Sequence, residues 1–202
     1  MGAAADCEAI GTGFLGQPVN GLTTLGFIIA GVFVASRRRD RRWVGIALGA
    51  TGVGSFLFHG PMPAGNEWAH DVTIAWLLVV VAATGTRAER HSRLPTLVVL
   101  GIGFALAPSW GDPIAVALTI VAIGSILRGR DRRGALLPLL LLALVAIYGR
   151  LGATGGPLCD PESLFQPHGV WHLGAAVAVT WWAVGAPTIP SGRVGPEPTR
   201  RT

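Results

Sequence analysis

NGLTTLGFIIAGVFVASRRRDRR, residues 20–42, is an uncharged apolar stretch from Asn20 to Ser36 that ends at Arg37, Arg38, Arg39, Arg41 and Arg42. An apolar run ending in a basic cluster is the pattern of a membrane span that stops on the cytoplasmic side. The rest of the chain agrees. Its 202 residues are 50% hydrophobic and 13% charged, about half the charged share of a soluble domain. That composition excludes a water-soluble enzyme and makes a bilayer the expected solvent. All 16 basic residues are arginine, the formal net charge is +5 and the pI is near 10.9. Such a pI can mark a nucleic-acid binder, but no polar basic face or aromatic-interleaved basic groove is present to meet a phosphate backbone.

Working outward from the first stretch, six more follow at Trp43–His59, Glu67–Thr84, Leu94–Pro108, Pro113–Leu127, Gly134–Tyr148 and Pro167–Ala186. Arginines cluster in alternate connections: the first, then Arg87, Arg90 and Arg93, then Arg128, Arg130, Arg132 and Arg133, and finally the tail with Arg193, Arg200 and Arg201. The other connections and the N-terminal segment hold one arginine, Arg150. By the positive-inside rule the N-terminus lies outside and the C-terminus in the cytoplasm, as an odd number of spans requires. The expected fold is therefore an all-α polytopic membrane protein, a seven-transmembrane helix bundle occupying residues 1–187, with a disordered cytoplasmic tail over 188–202 rich in Pro, Gly and Arg. Met1–Gly16 lacks a basic region followed by an apolar one, so no cleavable signal peptide is expected. Arginine without lysine, with abundant Ala, Gly and Val, suggests a bacterial cell membrane as the location.

Ionisable groups inside lipid are expensive, and their positions are informative. Of five histidines, His91 falls in an arginine-rich loop, whereas His59, His70, His168 and His172 lie at or within apolar stretches. The second span runs outward and ends at His59 before Gly60-Pro61-Met62-Pro63, a strong helix stop. The third runs inward from Asn66, an N-cap candidate, through His70-Asp71. The seventh runs inward from Pro167 through His168 and His172. Three helix ends thus bring His or Asp to one depth. Ser55 and His59 are four apart, as are His168 and His172, so each pair shares a helix face. Two imidazoles on one face and a third from a neighbour make three of zinc's four tetrahedral positions, with one left for water. Asp71 beside such a water can hold it or take its proton, which points to a hydrolase. The blander alternatives are interhelical hydrogen bonding by His168 and His172, and helix packing by Ser55.

Ser55-x-x-x-His59, Asp71 early in the next helix and His168-x-x-x-His172 opening the last resemble the CREST superfamily of seven-span membrane hydrolases, which includes alkaline ceramidases and the adiponectin-receptor group. The resemblance implies zinc held by His59, His168 and His172, a zinc-bound water contacted by Ser55 and Asp71, and hydrolysis of a lipid amide such as ceramide or another N-acyl lipid. The outside N-terminus and Asp6-Cys7-Glu8 are similar to the ceramidase branch, which implies a disulfide between Cys7 and Cys159; two free thiols are the alternative. Alkaline ceramidases also bind calcium through their N-terminal segment. Here Asp6 and Glu8 match that pattern, but Ala9, Ile10 and Gln17 replace further ligands, which falls short of the six to eight oxygens Ca2+ wants. His70 is an addition to the family pattern. It lies about 100° from Asp71 around the helix, so only one of the two is expected to face the metal, and His70 is expected at the headgroup region or as a donor behind the ligands.

Other function classes compete. Four membrane histidines could ligate b-type haem, but two of them four apart on one face, with Ser55 and Asp71 left without a role, fit a metal ion better. A non-catalytic zinc-containing lipid receptor would use the same ligands and would have no use for Asp71 beside an open position. A transporter is disfavoured, because the fourth, fifth and sixth stretches contain no acidic or basic residue to carry an ion.

Overall fold

The computed structural model describes residues 2–90, 92–129 and 132–186. His91, Arg130 and the tail over 188–202 lie outside the described residues. Among the described residues the chain is all helical. Eight α-helices follow in order: α1 Pro18–Thr23, α2 Leu25–Arg37, α3 Arg42–His59, α4 Asn66–Ala83, α5 Leu94–Leu106, α6 Gly111–Arg128, α7 Arg132–Leu151 and α8 Pro167–Gly185, with short 3-10 turns at Ala3–Asp6, Arg39–Arg41 and Pro108–Trp110. Each of the seven apolar stretches becomes helix, the first of them split into α1 and α2 at Thr24. Asn66 is the first helical residue of α4 and not its cap, which is Gly65 at φ 81°. That left-handed backbone is one a glycine adopts without a steric cost.

Three helical segments, Pro18–Arg37, Pro108–Arg128 and Arg132–Leu151, are long and apolar enough to cross a membrane. α5 is apolar but, at 13 residues, short, whereas α3, α4 and α8 are long enough but interrupted by His, Asp, Glu and repeated Gly. These same helices supply most of the buried interior, through Val44, Leu48, Trp76, Val80, Ala175 and Ala183, joined by Phe27 and Val34 of α2. The outer helices do the reverse. Val99, Ile102, Ile120, Leu137, Leu140 and Ile147 are all more than half exposed, an apolar surface far larger than a soluble monomer shows to water.

Backbones come close where side chains are absent. A Cβ on Gly31 would sit 2.6 Å from the Gly45 carbonyl oxygen and from the Gly49 nitrogen, locking α2 against α3. One on Gly54 would meet Thr73 Oγ1 and approach the Ala69 carbonyl oxygen to 2.8 Å, so α3 and α4 touch at the level of His59 and His70. Small residues permit such contacts in lipid, where packing replaces hydrophobic expulsion as the source of association.

The arginine cluster after α2 fastens the far end of the bundle. Arg38 Nη1 donates to the carbonyls of Ala183, Val184 and Ala186 at 3.0, 2.8 and 2.7 Å, while its Nε and Nη2 hold Asp40. Arg41 lies over the Trp182 ring at 4.6 Å. The last carbonyls of α8, which no helical N–H can reach, are thereby satisfied. From Arg42 to His59, α3 rises about 25 Å, so this clamp and the histidines occupy opposite ends of the bundle.

Gly31→Val should therefore cost about 1–3 kcal/mol through overpacking and lower the thermal midpoint in detergent by several degrees. Val32→Ala on the 66% exposed neighbour should leave it within a degree. An unchanged midpoint in Gly31→Val would mean that the α2–α3 approach does not constrain the fold.

Candidate metal centre

The N-terminal segment is held over the histidine end of the bundle by a Cys7–Cys159 disulfide. Cys7 has φ 71° and ψ −50°, and the Glu8 N–H donates to the Asp6 carbonyl at 2.9 Å across it. This is a γ-turn in its rare, strained form. Thr154 braces it, accepting from the Cys7 N–H at 3.0 Å and donating to the Ala4 carbonyl at 2.6 Å. The reversal sends the carboxylates on either side of Cys7 to different partners. Glu8 accepts from the N–H groups of Val19 and Asn20, both at 2.7 Å, and so caps the start of α1, a favoured place for a carboxylate. Asp6 reaches His168, its Oδ1 lying 3.2 Å from Nδ1. Burial pushes the Asp6 carboxyl up to about 6, a rise that His70 partly offsets. Asp6 and Glu8 are thus spent on an imidazole and a helix end, and they do not converge on a calcium position.

Three imidazoles meet beneath this segment. His59, the last residue of α3, is fully buried, and its Nδ1 lies 2.6 Å from Gln17 Oε1. The Gln17 amide donates from Nε2 to the carbonyls of Ala3 and Glu8 at 2.9 and 2.8 Å, which fixes Oε1 as the acceptor. His59 therefore carries its proton on Nδ1. His172 Nδ1 lies 3.1 Å from Thr23 Oγ1. That hydroxyl is 2.9 Å from the carbonyls of both Val19 and Asn20, so its proton is committed there and it accepts from the ring. His168 donates from Nδ1 to Asp6. In all three rings Nδ1 is occupied by an acceptor on the N-terminal segment or α1, and Nε2 keeps its lone pair.

The three rings gather at one place. The ligand atoms of His59, His168 and His172 all lie within 4.8 Å of one another, with ring centroids 4.5 to 5.1 Å apart. Nε2 of His59 and of His168 is buried without a hydrogen-bond partner among the described residues. A buried acceptor left unpaired costs about 1–3 kcal/mol, and three converging unprotonated nitrogens are a donor set that a cation satisfies. Acceptors behind each ring set its tautomer and orientation, as they do around bound metals. The three-histidine group can hold a metal ion.

The remaining expected site residues sit around it. Ser55 is buried on α3, one turn before His59. Asp71 does not join the imidazoles. Its Oδ1 lies 3.0 Å from His70 Nδ1, and its Oδ2 rests against Gly111 at the start of α6, where a Cβ would collide with it. His70, one residue and about 100° away, is the side chain on the imidazole side: its ring stacks on Phe58 at 4.4 Å and lies 6.3 Å from that of His59.

A scan against protein-family models and a search of curated proteins find no match to this chain. Gln17 and Thr23 are the functional residues that sequence reasoning passed over. A signal for the first was present in the repeated Gln-Pro dipeptide that opens α1 and α8. Both glutamines are fully buried, and Gln166, like Gln17, donates its amide to loop carbonyls, those of Asp160 and Ser163 at 3.0 and 2.8 Å.

Metal analysis of the purified protein should find one divalent ion per chain, lost on His59→Ala. Gln17→Ala should keep the fold but weaken binding about 10- to 100-fold, measured by competition with a chelator; unchanged affinity would remove Gln17 from the centre.

Proposed function

We propose that the protein is a zinc-dependent hydrolase of the lipid bilayer that cleaves an amide bond of an N-acyl lipid to a fatty acid and an amine. The observation that carries the reading is a set of three buried imidazoles whose ligand nitrogens lie within 4.8 Å of one another, each ring backed at Nδ1 by a hydrogen-bond acceptor. Neutral imidazoles in a set of three, with no thiolate, suit zinc at a catalytic site that keeps a position open. The order and spacing of Ser55, His59, His168 and His172 resemble the CREST superfamily, in which the same residue types serve this chemistry. Haem is disfavoured. Two axial ligands need a macrocycle between them, and here a third imidazole lies within the same 4.8 Å.

The seven-span arrangement with the N-terminus outside belongs to the same proposal. Arg38 and Arg41 at one end of the bundle mark the cytoplasmic face by their charge, which sets the histidine end at the outer face, where the Cys7–Cys159 disulfide persists. Apolar space lies within reach of that end. A groove of about 500 Å³ between α4 and α5, lined by Trp68, Val72, Leu97 and Ile102, opens at the level of His70. A smaller cavity of about 80 Å³ among α4, α6, α7 and α8 is walled by Leu78, Val81, Leu142 and Val179. Such surfaces take acyl chains and reject polar substrates.

Bound zinc supplies Lewis acidity and makes water a nucleophile at neutral pH. The chain supplies the rest. His59, His168 and His172 would hold the ion, their rings oriented by Gln17, Asp6 and Thr23 at Nδ1. Ser55 donates a hydrogen bond to the reacting oxygen, where a positioned donor favours the charge that develops. The buried setting excludes bulk water and strengthens each of these interactions.

Zinc-loaded protein incubated with ceramide or other N-acyl lipids in mixed micelles should release free fatty acid, detected by mass spectrometry. Chelation should abolish release and added zinc restore it, and Ser55→Ala should slow it about 100-fold. Metal-loaded protein that binds these lipids and releases no fatty acid would instead make this a non-catalytic lipid receptor.

A further inference from the structure

We propose that Asn20 binds the polar head of the ligand at the three-imidazole centre, its Nδ2 donating to the acyl carbonyl oxygen of an N-acyl lipid. The assignment rests on the function proposed above and names the group that would recognise the amide.

Asn20 lies on α1 and is fully buried, yet neither its Oδ1 nor its Nδ2 has a hydrogen-bond partner among the described residues. The other two fully buried amides differ. Gln17 is held at both ends, by His59 and by the carbonyls of Ala3 and Glu8, and Gln166 donates to the carbonyls of Asp160 and Ser163. A carboxamide carries two donors and an acceptor with two lone pairs, and burying such a group unpaired opposes folding. Leucine fills about the same volume without that cost, so packing gives no reason for an amide here. Capping gives none either. The main-chain N–H of Asn20 donates to Glu8 Oε2 at 2.7 Å, and its carbonyl accepts from Thr23 Oγ1 at 2.9 Å, so the start of α1 is satisfied without the side chain.

Two bearings give the direction of that side chain. Three residues of helix turn by about 300°, so Gln17 and Thr23 lie about 60° to either side of Asn20. Gln17 holds His59 and Thr23 holds His172; Asn20 therefore leaves α1 between the residues that orient two of the three rings. The helical segment continues from Pro18 to Arg37, and Phe27, about two turns on along the same side, lies edge-on to the His172 ring with centroids 5.9 Å apart. Gly21 brings the next position of α1 against the end of α3, where a Cβ would stand 3.5 Å from Gly60 Cα and 3.7 Å from the His59 carbonyl carbon.

The chemistry of the partner follows from the group that is offered. An acyl chain gives a carboxamide nothing to bond, so the part of the ligand that meets Asn20 is polar. The acceptor common to every N-acyl lipid is its amide carbonyl, and a neutral, buried N–H donor suits it. Asn20 acts by hydrogen bonding alone, as a residue of recognition.

The test uses full-length protein in detergent, loaded with zinc, and octanohydroxamic acid as the probe, an acyl chain that ends in a carbonyl and a metal-binding group. Asn20→Leu removes the amide at nearly constant volume. Without probe its thermal midpoint should equal or exceed that of wild type, because a buried unpaired group is gone, and it should keep one zinc per chain. Its affinity for octanohydroxamic acid should fall about tenfold, the effect of one hydrogen bond lost from a buried site. Asn20→Ala should lose the same affinity, which separates the missing donor from crowding by leucine. A midpoint several degrees below wild type in Asn20→Leu, or failure of both variants to fold, would give Asn20 a partner within the protein and overturn the proposal. Affinity within twofold of wild type in both variants would also overturn it, as would zinc lost from a folded variant, which would make Asn20 a ligand of the ion. Wild type that takes up zinc but no octanohydroxamic acid overturns the proposal alone. Wild type that binds both but releases no fatty acid from N-acyl lipids overturns the hydrolase reading alone. Wild type that binds no zinc overturns both.

Discussion

A buried imidazole has two nitrogens, and in a medium without water both must be answered. That constraint organises one whole end of this molecule. Each of His59, His168 and His172 meets it at Nδ1 through Gln17, Asp6 and Thr23, and these acceptors are in turn oriented by the carbonyls of Ala3, Glu8, Val19 and Asn20. The N-terminal segment is therefore not a loose leader to the bundle. Its disulfide to the loop before α8, the γ-turn at Cys7 and the Glu8 cap on α1 all serve to set two acceptors at the backs of two rings. The other nitrogen of each ring can be answered only by something placed between them.

The same constraint explains the layering of the helices. Polar and small residues weaken α3, α4 and α8 as independent membrane segments, since each polar group opposes insertion and each glycine gives up apolar surface. The interior position of these helices compensates. Leu48, Trp76 and Val80 pack among themselves, and the more uniformly apolar α5, α6 and α7 present Val99, Ile120 and Leu140 outward. Chemistry and solvent matching are divided between two sets of helices.

The sequence carried a good deal of this. Apolar runs bounded by Gly-Pro signals or arginine map onto the helices closely, as in Trp43–His59 against Arg42–His59 and Pro167–Ala186 against Pro167–Gly185, because in lipid the boundary is a change of solvent and is written in composition. Spacing of four brought His168 and His172 to one face without tertiary information. The rotation of α4 was a different matter. One residue of His70-Asp71 could face the centre, and the 100° step between them is silent on which. The choice is made by the close approach at Gly54 and by the seat that Gly111 offers Asp71, contacts between residues 15 and 40 positions apart in the chain. Gln17 and Thr23 were hidden for the same reason: an amide and a hydroxyl near a helix start fit a cap as well as an imidazole, and only the assembled fold distinguishes the two.

The seat at Gly111 also bears on how the centre is insulated from its surroundings. Asp71 lies near Glu67 and Asp112 in a small polar pocket at the start of α6, while His70 turns towards the three imidazoles. An ionised carboxylate placed directly among the histidines would need its own desolvation in a nearly dry site. Set one residue further round α4, it keeps partial solvation, 23% of its side chain being exposed, and shares its charge with the His70 imidazole at 3.0 Å.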